Sequence, residues 1–335
     1  MAELRYNPLL KDWTMVAASR AKRPHMPKDF CPFCPESGKV PADYDVHLYT
    51  NDFPVLSPQP PEPDQVGGGL YKTKEAYGKC EVVLYSPGHH DTIPDLSRPH
   101  MKKLVDLWTE SFAKLDADPN HEYVMTFENR GEEVGVTMPH PHGQIYAYPF
   151  IPLKVRTELD SCREYYADNG RNLFDDMVKE EKRFGERVIA ETEHFIAFIP
   201  FFTDYPYGVF IVAKDKKTAL TEFDELEKEE LGMLIQDVVG GMDRIYDRPF
   251  PYMMTMHPRP SNNDEQYDEF YRFHIEFYPP LRAKDRLKFN SSSETGGWAA
   301  ANPTKVEDNA AILRQCTEEY RAEKDVEQHE RTAAD

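Results

Sequence analysis

Two stretches of this chain follow the same order of strand, helix and strand, and that internal repetition constrains the fold more than any other feature. In the first stretch the run Glu81 to Tyr85 (EVVLY) reads as a strand, and Met101, Leu104, Val105, Trp108, Phe112 and Leu115 recur at helical spacing behind Ser97-Arg98-Pro99. Tyr123 to Phe127 (YVMTF) then reads as a second strand. In the second stretch Val209 to Val212 (VFIV) is a strand, Leu226, Leu231, Leu234, Ile235, Val238, Met242 and Ile245 mark a helix, and Tyr252 to Met256 (YMMTM) follows. Tyr123-Val-Met-Thr and Tyr252-Met-Met-Thr lie 129 apart, while HPHGQIYAYPF from His140 and HIEFYPP from His274 lie 134 apart, a difference one loop absorbs. A duplicated α+β unit is expected, divided into residues 1–185 and 186–335. The breaker-rich stretch Gln59 to Gly69 reads as an exposed loop, Val306 to Val326 as a charged helix, and the tail beyond it as frayed.

Composition narrows the functions such a unit can serve. Hydrophobic residues at 40% and aromatics at 12% exclude a disordered chain, and 335 residues are enough to bury a sizeable core. The formal charge of −19 excludes a general binder of nucleic acid, so an anionic ligand must meet a local basic pocket. No apolar run approaches the roughly 18 residues of a membrane span, and the opening MAELRYNPLLKDW has no signal-peptide core, so a cytoplasmic protein is expected. Five cysteines make no disulfide framework, and only Cys31 and Cys34 are paired in sequence.

Chemistry concentrates in Pro139-His140-Pro141-His142-Gly143-Gln144, which enters the apolar strand IYAYPF. Side chains at i and i+2 of an extended chain share a face, which sets His140 and His142 side by side, roughly 7 Å apart. The two prolines stiffen the extended backbone and forbid helix. Two surface histidines in a proline-rich turn would be the plain reading, but it leaves Gln144 on the same face unexplained. Imidazole, with an ordinary pKa near 6.5, is largely neutral and nucleophilic at about pH 7, and its bond to phosphorus is readily displaced again. His142 is therefore the candidate nucleophile. Gln144 can donate an amide hydrogen bond to a phosphoryl oxygen without acting as an acid, which suits a leaving group that is already a stable phosphate anion. Cys31-Pro-Phe-Cys34 supplies two thiolates at zinc-ligand spacing, and Ser86-Pro-Gly-His89-His90 and His140 offer the remaining ligands of a closed, structural tetrahedral site. His89 is preferred to His90, although spacing alone does not decide between them.

These residues, with Arg20-Ala-Lys-Arg23-Pro, Thr50-Asn51-Asp52-Phe53, Phe127-Glu-Asn129, Glu191-Thr-Glu-His194 and Phe277-Tyr-Pro-Pro280, resemble the galactose-1-phosphate uridylyltransferases, a branch of the histidine-triad superfamily, over nearly the whole chain. The resemblance implies two fused histidine-triad-like halves, each an antiparallel half-barrel sheet with packed helices. It implies that His142 carries a uridylyl group steadied by Gln144, and that Cys31, Cys34, His89 and His140 hold Zn2+. Asn51 and Asp52 would contact the nucleotide, and Asn129 and Thr137 the phosphates or ribose. Arg20 and Arg23 would be lent by the partner subunit of a homodimer whose active site is shared. UMP would pass from UDP-glucose to His142, releasing glucose 1-phosphate, and then to galactose 1-phosphate, giving UDP-galactose.

Family members often carry a second metal, iron or zinc, on one Glu and three His; the corresponding positions are Glu158, His257, His274 and Glu276, with Glu for the last His. At the 134-residue offset Glu276 falls opposite the nucleophile, as expected of a catalytically silent copy. Lys288, Phe289 and Glu294 fit the segment that closes over the sugar, but the glutamine the family has a few residues later has no counterpart in GGWAAANP. Two rivals follow: an adenylyl-transferring relative acting on ADP-glucose and phosphate with the same His-Pro-His-Gly-Gln run, and a non-catalytic protein that binds zinc and nucleotide.

Overall fold

The structure, a computed structural model, describes residues 2–18 and 30–334. Its first part runs through β1 (Ala2–Asn7), β2 (Asp12–Ala17), β3 (His47–Thr50), β4 (Thr73–Glu75), β5 (Lys79–Leu84), α1 (Arg98–Asp116), β6 (Tyr123–Arg130), β7 (His142–Tyr148), α2 (Leu153–Asn169) and α3 (Leu173–Phe184). The second runs through β8 (Val188–Glu191), β9 (Phe195–Phe198), β10 (Phe210–Ala213), α4 (Glu225–Ile245), β11 (Tyr252–His257), β12 (His274–Tyr278), β13 (Leu281–Ala283), β14 (Arg286–Leu287), α5 (Ser292–Gly297) and α6 (Val306–Ala334). The result is a mixed α/β protein whose sheets are antiparallel.

The two strand groups expected as half-barrels meet edge to edge in one nine-stranded sheet, ordered β3-β5-β7-β6-β11-β12-β10-β9-β8. The seam is β6 against β11, with Phe127 opposite Thr255 and Arg130 opposite Tyr252. Side-chain alternation divides the residues between two faces. Ile145, Ala147, Ile275 and Phe277 pack under α1 and α4 with Met101, Leu104, Trp108, Leu234 and Val238, while Tyr146, Tyr148 and Tyr271 pack on the other face with Val155, Leu159 and Phe174 of α2 and α3.

This alternation corrects the sequence alignment of the two stretches. Tyr123 lies on the α2/α3 face and Tyr252 on the α1/α4 face, so their match in sequence is not a structural equivalence. The 134-residue offset is also displaced, because β7 begins at His142 and β12 at His274, and each imidazole Nδ1 donates to the carbonyl two residues earlier, that of His140 at 2.8 Å and that of Arg272 at 3.0 Å. His142 therefore corresponds to His274, and Glu276 to Gln144 and not to the nucleophile.

Ser97 caps α1 by accepting from the His100 N–H, and Asp224 and Glu227 form a reciprocal cap on α4. Gly240 and Gly241 let α6 seat on α4: a Cβ there would fall 2.4 Å from the Tyr320 ring and 2.2 Å from Thr317 Oγ1. The 59–69 stretch is irregular, as expected, whereas α6 continues to Ala334 because nothing in EQHERTAAD breaks a helix. No described helix is long and apolar enough to cross a membrane.

Candidate active site

The strand ladder carries the histidines to the site before regular β7 begins. The Tyr85 N–H donates to the Pro141 carbonyl at 3.1 Å, continuing the β5–β7 pairing that sets His142 opposite Leu84 and Gln144 opposite Val82. The prolines offer no N–H here, so only carbonyls are left to pair. Both histidine rings lie against Phe33, with centroids 6.0 Å away for His140 and 5.5 Å for His142. Gly143 permits the close approach behind them, since a Cβ would sit 2.2 Å from the Tyr85 hydroxyl.

The ring nitrogens are sorted by their partners. A carbonyl only accepts, so the His142 bond to the His140 carbonyl places hydrogen on Nδ1 and makes Nε2 the lone-pair nitrogen. The buried His140 is oriented the other way: Nε2 donates to the Ser86 carbonyl at 2.8 Å, and Nδ1 faces Cys34 Sγ at 3.6 Å. Tyr44 braces this arrangement, donating to the Phe33 carbonyl at 2.8 Å and the Ser86 carbonyl at 3.1 Å.

Cys31, Cys34, His89 and His140 bring their ligand atoms within 4.8 Å of one another, and His89 Nδ1 lies 3.1 Å from Cys34 Sγ while His90 is exposed. Burial, with the Ser86 hydrogen bond opposing, lowers the His140 pKa to about 4, which keeps it neutral. Burial and the neighbouring Cys31 push the Cys34 thiol up to about 12, so only a bound cation would make it a thiolate. Two sulfurs, two correctly oriented imidazoles and an outer hydrogen bond to Ser86 fit Zn2+ in a closed tetrahedral site.

Two clefts flank His142. One, of about 340 Å³, is lined by Phe33, Tyr49, Asn51, Asp52, Phe53 and Gln144 as well as His142. Asn51 Oδ1 accepts from the Phe53 N–H at 2.8 Å, Asp52 accepts from the Tyr49 hydroxyl at 3.0 Å, and Gln144 Oε1 accepts from the Tyr146 hydroxyl at 3.1 Å. With its oxygen so engaged, the Gln144 amide presents its N–H groups as donors. The other cleft, of about 420 Å³, contains His140, His142, Asn129 and Arg130, the last paired with Asp243 at 2.7 Å. Thr137 Oγ1 is buried without a hydrogen-bond partner among the described residues. Lys39 is the one cation lining the first cleft among the described residues; Arg20 and Arg23 lie outside them.

Glu128, which received no role from the sequence, lies buried on the wall of the second cleft and accepts from the hydroxyls of Tyr252 at 3.1 Å and Tyr85 at 3.3 Å. Burial, against the pull of Arg130 and both hydroxyls, raises its pKa to about 7.

Glu158, His257, His274 and Glu276 also come together, beside a separate cavity of about 730 Å³. His257 Nδ1 lies 2.9 Å from Glu158 Oε2, and His274 Nε2 lies 3.5 Å from Glu276 Oε1. Lys154, which the sequence reading passed over, joins them: Nζ donates to Glu276 Oε2 and lies 3.3 Å from Glu158 Oε1. Its place four residues before Glu158, on one face of α2, was the available signal.

Lys288, Phe289 and Glu294 line a small pocket that shares no residue with the His142 clefts. Lys288 lies 3.9 Å from Asp204, Phe289 is exposed, and Glu294 accepts from the Ser291 N–H at the start of α5.

Comparison with known proteins bears on this geometry. The chain matches the family model "Galactose-1-phosphate uridyl transferase, N-terminal domain" over residues 1–152 and the corresponding C-terminal domain over residues 158–291. It is 38% identical over 316 residues to a galactose-1-phosphate uridylyltransferase of Thermotoga maritima, covering 94% of this chain and 98% of that protein. A solved uridylyltransferase superposes with a TM-score of 0.86 at 30% identity, covering 95% of this chain and 99% of the other. The fold is also that of an ADP-glucose phosphorylase from Arabidopsis thaliana, at TM-score 0.71 and 23% identity over 94% of this chain and 99% of that one.

Proposed function

The chain belongs to the galactose-1-phosphate uridylyltransferase family, and from that premise we propose that it exchanges UMP between hexose 1-phosphates by a ping-pong route through His142. It is a nucleotidyltransferase by membership, acting on UDP-glucose and galactose 1-phosphate. The observation that carries the route is the His142 tautomer, with Nδ1–H held by the His140 carbonyl and the Nε2 lone pair at the junction of two clefts.

Nε2 attacks the α-phosphorus of UDP-glucose and forms a phosphorus–nitrogen bond as the bond to the β-phosphate oxygen breaks. Glucose 1-phosphate leaves as an anion and needs no proton. The His140 carbonyl, accepting from Nδ1, stabilises positive charge developing on the ring, and the Gln144 amide donates to a phosphoryl oxygen. A phosphate oxygen of galactose 1-phosphate then attacks the same phosphorus, giving UDP-galactose and regenerating the imidazole. Asn51 and Asp52 hold the nucleotide, and Asn129 and Thr137 its phosphates or ribose. Arg20 and Arg23 would come from the partner subunit of a homodimer, and the segment containing Lys288, Phe289 and Glu294 would close over the sugar. Zinc held by Cys31, Cys34, His89 and His140 would supply no reacting group and would fix the N-terminal loop to the strand bearing His142. We read the two strand groups as fused histidine-triad-like half-barrels divided near residue 185, in a cytoplasmic enzyme.

Incubation with UDP-glucose labelled in the uridine should leave an acid-labile, base-stable adduct on His142, and an active enzyme without it would refute the ping-pong route. A panel of UDP- and ADP-sugars, with galactose 1-phosphate or inorganic phosphate as acceptor, tests the substrate. Turnover confined to ADP-glucose and phosphate would assign adenylyl transfer instead, and no turnover at all would favour the non-catalytic zinc and nucleotide binder.

A further inference from the structure

We propose that the Lys154 ammonium is the cation of the Glu158–His257–His274–Glu276 cluster, occupying the position a divalent metal would take, so that the cluster is held together by a side chain of this protein and excludes a second metal ion.

The four residues come close enough to look like a ligand set, but their donor atoms are already engaged. Glu276 Oε2 receives both the Lys154 ammonium and the Tyr278 hydroxyl. Glu158 Oε1 faces the same ammonium at 3.3 Å, and Glu158 Oε2 pairs with His257 Nδ1 at 2.9 Å. His257 Nε2 is matched with Thr255 Oγ1 at 2.9 Å. Three of the four carboxylate oxygens and both nitrogens of His257 thus have partners within the chain. His274 Nε2, 3.5 Å from Glu276 Oε1, is the buried nitrogen of the cluster without a well-formed hydrogen bond among the described residues. Pairing among the candidate ligands does not by itself exclude a metal, since Cys34 and His89 also pair; the difference here is the Lys154 ammonium, a cation already seated between the Glu276 and Glu158 carboxylates.

The charges agree with this geometry. Although burial opposes ionisation of all three groups, His257, His274 and Lys154 hold the Glu276 carboxyl well below its usual range, and Glu276, Tyr278 and Glu158 raise the Lys154 pKa. The Glu158 pKa is likewise lowered against its burial, chiefly by His257. A divalent ion entering with Lys154 in place would put two cations on the same pair of carboxylates, where they repel. Lys154 is nevertheless displaceable, because it lines the 730 Å³ cavity together with Glu158, His274 and Glu276. Metal exclusion is therefore a matter of occupancy by Lys154 and not of access.

Cobalt titration of the metal-stripped full-length protein, followed by electronic absorption, separates the two clusters. Wild type should take up one Co2+ equivalent with the intense thiolate charge-transfer band of the Cys31–Cys34 site and no tight second equivalent. Lys154→Met should add a second equivalent with weak ligand-field bands and no thiolate intensity, at least about tenfold tighter than any second uptake by wild type. Lys154→Arg, which retains the cation, should behave as wild type. A Lys154→Met protein that folds only when Co2+ is present would also support the assignment. A second thiolate-free equivalent bound by wild type as tightly as the first would overturn it, whether or not Lys154→Met folds, and so would equal second-site affinity in wild type and Lys154→Met. Loss of the thiolate band from the first equivalent would instead refute the Cys31 zinc site and leave this proposal standing or falling on the second equivalent alone.

Discussion

His142 and His274 begin equivalent strands, and each donates Nδ1–H to the carbonyl two residues behind it, so the two imidazoles present the same lone-pair nitrogen. Their surroundings then diverge. Two residues beyond His142 stands Gln144, whose amide can attract a phosphoryl oxygen; two residues beyond His274 stands Glu276, whose carboxylate repels one. His142 opens onto two clefts beside a cysteine–histidine cluster, whereas His274 is fully buried against Phe174 and a carboxylate tied to Lys154. A shared backbone frame thus carries the proposed nucleophile in one half and a buried polar cluster in the other. The difference lies in the side chain two residues on, an amide in one half and a carboxylate bonded to Lys154 in the other.

The sharpest test of that contrast is to remove each imidazole. His142→Ala should lower turnover by about a thousandfold or more with the fold intact, while His274→Ala should leave turnover per folded molecule within about tenfold of wild type. Comparable losses in both variants would abolish the distinction. Next, Cys34→Ser should release one equivalent of zinc and lower the thermal midpoint by ~10 °C or more, an effect that chelation of wild type should reproduce.

A pH measurement addresses the layer between the halves, where Glu128 from β6 meets Tyr252 from β11. Its folded pKa of about 7 lies above the ordinary 4.5, so the native state retains a proton that the unfolded chain loses. Stability should be undiminished by this group below pH 4.5 and should fall as pH rises toward 7, by up to about 3 kcal/mol. Glu128→Gln should remove that slope in denaturant titrations at successive pH values; an unchanged slope would refute the assignment. The smallest expected effect is that of Gly143→Ala, at about 1–3 kcal/mol of stability, because its methyl group meets the Tyr85 hydroxyl and must displace it.

Much of the site was legible because its signals are local. Pro139 and Pro141 impose extended backbone, extended backbone imposes a common side for His142 and Gln144, and the Cys31–Cys34 spacing declares a ligand pair. The helices α1 and α4 were legible because each buries a broad apolar stripe. By contrast, α2 buries only Val155, Leu159 and Cys162, too narrow a stripe to stand out in the sequence. The choice of His89 over His90 required the Ser86–Gly88 turn to bring one ring to Cys34.

From the sequence alone came the family resemblance, the identity of the candidate nucleophile, the donor types of both clusters and the repeated strand–helix–strand order, since residue type and short-range spacing suffice for these. Tertiary structure decided the register of the two halves, their union through β6 and β11, the tautomers of the histidines and the entry of Lys154 between two glutamates. Each of these depends on contacts between residues far apart in the chain, where a shift of one position along a strand exchanges one face of the sheet for the other.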